Sequence, residues 1–148
     1  FNINFNNNPK EIAKQAIEDS LNRLKEEYDI IIMEGAGSPA EINLREGDLA
    51  NMGVAEIADA NVLLVGDIDK GGVFASIAGT FTILDNNDTS RIKGTIINKF
   101  RGNPDLLTEG IEKLEKIVNT PNLGIIPYTK GLNLPAEDSI SKEEYSLQ

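Results

Sequence analysis

Val62-Leu63-Leu64-Val65-Gly66-Asp67-Ile68-Asp69-Lys70-Gly71-Gly72 is an apolar run that ends in charge and glycine. Four aliphatic residues in a row, closed by a glycine, are too short for a helix and read as a buried strand. Gly71-Gly72 then opens a helix expected over about 72–84. Working outward, Tyr28–Met33, Thr95-Ile96-Ile97 and Leu123-Gly124-Ile125-Ile126 are runs of the same kind. Helical segments are expected between them, over about 53–59 and about 104–118, the latter behind an Asn103-Pro104 cap. Upstream, Asn8-Pro9-Lys10-Glu11 reads as a helix start, with Asn8 as N-cap and Glu11 reaching back. Ala13, Ile17, Leu21 and Leu24 follow at helical spacing and give one apolar face. Strands apolar on both faces, alternating with helices, predict an α/β fold: a parallel sheet with helices on both faces.

The 148 residues suit one domain with a real core, and the 40% hydrophobic, 26% charged balance is that of a globular chain. No apolar run approaches the roughly 18 residues of a membrane span, and no leader opens the sequence, so a cytoplasmic location is expected and no membrane partner. A net charge of −10 repels a phosphate backbone, so nucleic acid is not an expected partner. With no Cys and no His, the chain has no thiolate, imidazole base, disulfide or Cys/His zinc site. Chemistry is left to carboxylates, Lys and Arg, hydroxyls, amides, backbone N–H groups and a borrowed metal. Residues 1–135 read as one domain, opening on an Asn-rich loop, and residues 136–148 as a polar tail or linker.

In an open parallel sheet, ligands bind at the carboxyl ends of the strands. All four ends carry residues that a plain turn does not need. Glu34 follows the first run, where a buried carboxylate demands a metal, a water or the N–H groups of the Gly35–Ser38 turn. Ser38-Pro39-Ala40-Glu41 is a capping-box pattern that favours a local role for Ser38. Asp67 and Asp69, two apart, face the same way on an extended chain, with Lys70 beside them. Gly71 and Gly72 at a helix start offer N–H groups to a phosphate or carboxylate. An Asp–Lys surface pair beside a flexible turn is the plainer account of that cluster. Asn98 and Lys99 suit an adenine edge and a stem lying along the ring, although Asn at a strand end is also an ordinary turn residue. Pro127 and Tyr128 end the fourth run.

Taken in order, Glu34-Gly35-Ala36-Gly37-Ser38-Pro39-Ala40-Glu41-Ile42-Asn43-Leu44, Asn51-Met52-Gly53-Val54-Ala55, Val65–Ser76 and Ile97-Asn98-Lys99-Phe100-Arg101-Gly102 resemble the cobyric acid synthase family. Gly124-Ile125-Ile126-Pro127-Tyr128 fits the next segment, and the likeness covers about residues 28–135. The resemblance implies a P-loop NTPase fold of the dethiobiotin synthetase-like kind. It implies ATP and Mg²⁺ as cofactors, a corrinoid diamide as substrate, and ammonia supplied by a glutamine amidotransferase domain. On the same ground Glu34 looks like the Mg²⁺ ligand. Asp67, Asp69 and Lys70 look like part of the reacting centre, and Asn98 like the adenine reader. Lys99, Gly71 and Gly72 would line the nucleotide, with Pro127 and Tyr128 flanking its base.

The phosphate loop Gly-x-x-x-x-Gly-Lys-[Ser/Thr] does not occur in these residues, and neither do a glutaminase Cys and His. The expectation is therefore a later part of that domain, lacking the P-loop strand, inactive alone and prone to self-association through unpaired strand edges. A cobyrinic acid a,c-diamide synthase relative and a non-catalytic nucleotide-binding assembly module stay open as alternatives.

Overall fold

A computed structural model describes residues 8–131. The Asn-rich opening before Asn8 and the proposed tail at 136–148 lie outside those residues. Helix α1 spans Pro9–Glu27, with the Asn8 side chain accepting from the Lys10 N–H. The cap is thus a single bond to the second helical residue, and the Glu11 amide is taken by the Asn8 carbonyl. Leu21 is the residue of the apolar face that α1 buries. Helix α2 spans Met52–Ala58, strand β1 Val62–Asp67, helix α3 Val73–Ile83 and the short helix α4 Asn86–Arg91. Strand β2 spans Ile92–Phe100, helix α5 Thr108–Val118 and strand β3 Asn122–Pro127. The sheet is parallel, ordered β1-β2-β3, with β2 in the centre.

One face of this sheet supplies the core. Gly66, Thr95, Ile97 and Ile125 alternate onto it, and Val73 and Ile77 of α3 pack there with Leu114 of α5. A second cluster, Met52, Leu84 and Ile92, fastens α2 and the end of α3 to the start of β2. On the opposite face Leu63, Val65 and Leu123 are about half exposed.

The run at Tyr28–Met33 departs from expectation. No ladder forms there, and Ile30 and Ile32 are 79% and 92% exposed. A strand requires a neighbour for its N–H and C=O groups, and among the described residues this run has none. Glu34 is consequently an exposed residue and not the end of a buried strand. The helix expected over about 72–84 is α3, and a separate short helix, α4, follows it, with Asp85 capping α4 through the Asp88 amide. One further segment resolves differently. The helix expected from Pro104 opens as a 3₁₀ turn over Pro104–Leu107.

Candidate functional site

The register places the carboxyl ends of three strands together. Asp67 lies opposite Asn98, and Phe100 opposite Pro127. Gly66 permits the close approach of α3: an added Cβ would lie 2.7 Å from Val73 Cγ2 and 2.8 Å from Ile77 Cδ1. The start of α3 therefore sits directly behind the end of β1. Between them, Gly71 and Gly72 take φ of +77° and +67°, left-handed conformations that suit glycine. No side chain caps α3, so N–H groups of its first turn are left for an acceptor.

Across this edge run two ion pairs of matching spacing. Lys99 Nζ donates to Asp67 Oδ2 at 2.8 Å, and Arg101 reaches both oxygens of Asp69, at 2.9 and 3.3 Å. Asp67 Oδ1 also accepts from the Asp69 amide at 3.0 Å. The Lys99 ammonium, ahead of the opposing effect of burial and aided by the Asp69 amide, holds the Asp67 carboxyl below its ordinary range. Arg101 does the same to Asp69. The partners respond in the other direction: Lys99 and Arg101 are raised, chiefly by Asp67 and Asp69 respectively. Arg101 also lies over the Tyr128 ring, 3.3 Å from its centroid, and the Tyr128 amide donates to the Phe100 carbonyl at 2.8 Å.

The structure thus joins Asp67, Asp69, Asn98, Lys99, Pro127 and Tyr128 at one edge, with Gly71 and Gly72 at the helix start beside them. It does not pair Lys70 with either aspartate; the lysine that bonds Asp67 is Lys99, from the neighbouring strand. Asn98 Oδ1 accepts from the Lys99 amide at 2.8 Å, which is the turn role, and its Nδ2 has no protein partner among the described residues. Glu34 is not bonded to this group. Asn51 Nδ2 donates to the Ala36 carbonyl at 2.7 Å, tying the turn after Glu34 to the start of α2 instead. Ser38 Oγ accepts from the Ala40 amide, a local turn bond as its spacing suggested. Arg101 is the participant that residue-by-residue reading left without a role. Its signal was the i, i+2 spacing of Lys99 and Arg101, equal to that of Asp67 and Asp69.

The residues present fit a magnesium nucleotide in part. Among the described residues no three acids cluster to hold a metal. An exposed single carboxylate such as Glu34 suits Mg²⁺, which takes one or two carboxylates and completes its shell with phosphates and water. The uncapped first turn of α3 suits phosphate. A groove of about 470 Å³ lies elsewhere, between the end of α3, α4 and the end of α5, with Phe81, Thr120 and Asn119 on its walls. It lies at the amino end of the sheet, carries none of the paired charges, and is not where this architecture binds ligands.

A family model described as an AAA domain matches residues 3–136. The chain belongs to that AAA domain family. Its parallel sheet is that of a P-loop-type α/β domain, dethiobiotin synthetase-like as expected. This AAA domain is 59% identical over 143 residues to a probable cobyric acid synthase of Methanothermobacter thermautotrophicus, covering 95% of the chain and 28% of that protein. It is also 59% identical over 137 residues to a probable cobyric acid synthase of Methanosphaera stadtmanae, covering 93% and 27%. A cobyric acid synthase of Clostridium botulinum matches at 59% over 125 residues, covering 84% and 25%. The chain therefore spans about a quarter of the length of these relatives. No solved structure matches. No helix among the described residues is long and apolar enough to cross a membrane.

Proposed function

We propose that this AAA domain forms part of an ATP-dependent amidoligase of the cobyric acid synthase kind, acting in cobalamin biosynthesis. The reaction is amidation of peripheral carboxylates of adenosylcobyrinic acid a,c-diamide, with glutamine as the source of ammonia. The observation that carries the reading is the convergence of Asp67, Asp69, Asn98 and Tyr128 at one carboxyl edge, beside the uncapped first turn of α3. The 59% identity to proteins named cobyric acid synthase supports it.

In this reading a substrate carboxylate oxygen bonds to the γ-phosphorus of ATP and ADP leaves. Ammonia then bonds to the acyl carbon and phosphate leaves, giving the amide. The chain's own residues orient these groups. The first-turn N–H groups after Gly71 and Gly72 bind phosphate or carboxylate oxygens, which the helix dipole favours. Asp67 and Asp69, ionised and fixed by Lys99 and Arg101, stand at the reacting centre, and Lys70 is the cation there free of both pairs. Asn98 offers Nδ2 and a remaining lone pair to the adenine edge, with Lys99, Pro127 and Tyr128 around the base. Glu34 would hold Mg²⁺, which neutralises phosphate charge when bound.

The test is Asn98→Ala in the full-length enzyme, reading affinity for ATP and GTP. Weaker ATP binding with relaxed discrimination against GTP is expected, on a fold that is nearly unchanged. Unaltered affinity and base preference would remove Asn98 from the site.

A further inference from the structure

Three sets of residues from three different strands meet through one side chain. Asp69 follows β1, Arg101 follows β2, and Tyr128 follows β3. Among the described residues no backbone hydrogen bond joins the Asp69 turn to the segment after β3; β2 stands between them. Arg101 spans that gap. Its guanidinium bonds both oxygens of Asp69, and its planar face lies on Tyr128, 3.3 Å from the ring centroid. A guanidinium can do both at once because its donors lie in the plane and its face is free to stack.

The chain geometry is arranged for this contact. Lys99 takes φ of +64°, a left-handed conformation uncommon outside glycine, within β2 at the shift of register between Ile97 and Phe100. From this bend Lys99 reaches Asp67 at the end of β1 and Arg101 reaches Asp69 just after it, and the two spacings of two match. An exposed ion pair contributes little to stability, so this construction is poorly explained as a fastening. It is well explained as a means of setting positions.

We propose that Arg101 is a positioning residue that fixes Asp69 and Tyr128 relative to one another, so that one side chain sets the reacting carboxylate and the wall of the base site together. The proposal rests on the reading of Asp69 and Tyr128 given above. Its physical part stands on the contacts alone. Removing Arg101 frees Asp69 to turn toward Lys99 or Lys70 and frees the Tyr128 ring, while Asp67 keeps its own partner.

The experiment compares the chain with R101Q and R101K by carboxyl-carbon and aromatic NMR, and the full-length enzyme with the same variants by kinetics. Arg101 is half exposed, so both variants are expected to fold. R101Q should raise the titration midpoint of Asp69 toward the ordinary carboxylate value and shift the Tyr128 ring signals, leaving those of Asp67 and Asp48 in place. R101K should recover Asp69 in part, since lysine brings the charge without the paired donors. In the full enzyme R101Q should lower kcat and raise KM for ATP together, with R101K intermediate. Unmoved Asp69 and Tyr128 signals in R101Q overturn the proposal, and so does a kinetic profile equal to that of the unsubstituted enzyme. NMR and kinetic changes as expected, alongside an Asn98→Ala enzyme of unaltered base preference, would defeat the adenine reading and leave the role of Arg101 standing.

Discussion

At Lys99 the backbone bears a cost and the side chain explains why it is tolerated. The left-handed conformation disfavours any residue with a Cβ by about 1 kcal/mol. Lys99→Gly would relieve that strain and lose the bond to Asp67, whereas Lys99→Ala would lose the bond and keep the strain. The glycine variant is therefore expected to be the more stable of the two by roughly 1 kcal/mol in urea denaturation. Equal midpoints would mean the bend costs nothing. The acids at this edge also fix the direction of a pH response. Asp67 and Asp69 both titrate lower in the folded chain than unfolded, for the reasons of Lys99 and Arg101. Their contribution is complete above the unfolded value of about 4 and is lost as pH falls through the lower folded values. Asp69 is exposed and Asp67 half-buried, and their partners lie at the surface, so solvent screens both pairs and the loss is small. Thermal melting between pH 5 and pH 2 should show a declining midpoint that flattens in R101Q and in Lys99→Ala.

Among the elements, α2 shows how much a short helix owes to its entry. Asp48 accepts from the Ala50, Asn51 and Gly53 amides at 2.8, 2.8 and 2.9 Å. Burial raises the Asp48 carboxyl, but the Gly53, Ala50 and Asn51 amides outweigh it, and the net shift is downward. Asp48→Ala should cost on the order of 1–2 kcal/mol, measured by denaturant midpoint, because it orphans three amides at one helix start. This cap was not legible beforehand, since its three bonds reach across a loop whose shape residue types do not dictate. β1, β2 and β3 were legible, because unbroken aliphatic runs bounded by glycine have few other ways to be buried. The centre of each was found and its length underestimated: β2 extends over Ile92–Phe100, with Lys93 and Lys99 falling at shifts of register and Asn98 pairing with Asp67 of β1 alone. Tyr28–Met33 failed for the complementary reason. Composition shows that a segment could be a strand, and only a paired neighbour makes it one. The site was legible as to which strand ends mattered, through the charged and amide residues that follow them. The pairing itself, Lys99 rather than Lys70 with Asp67, depends on a bend that no residue type announces.

For the whole molecule, two features pull toward association. Leu63, Val65 and Leu123 share a sheet face and are half exposed, and Ile30 and Ile32 are more so. A net charge of −10 opposes contact between copies but is screened by salt. The isolated chain is expected to self-associate, more so at 0.5 M than at 0.05 M salt by sedimentation, with Leu63→Lys and Val65→Lys shifting it toward monomer. A monomer at both salts would show that the exposed face is tolerated in water. Without a Gly-x-x-x-x-Gly-Lys loop in these residues, the chain alone is also expected to bind Mg·ATP weakly. Micromolar affinity in calorimetry would show that the first turn of α3 is a sufficient phosphate site. The arrangement of the three strands carries a further consequence. Among the described residues β2 has a partner on each side, paired on both over Thr95–Ile97, whereas β1 and β3 each have one. In D₂O the amides of Thr95, Ile96 and Ile97 should all be slow to take up deuterium. Those of β1 and β3 should alternate along the chain, slow where the N–H turns toward β2 and fast where it turns outward, so that the isotope would write the strand order into a comb of protected and unprotected residues.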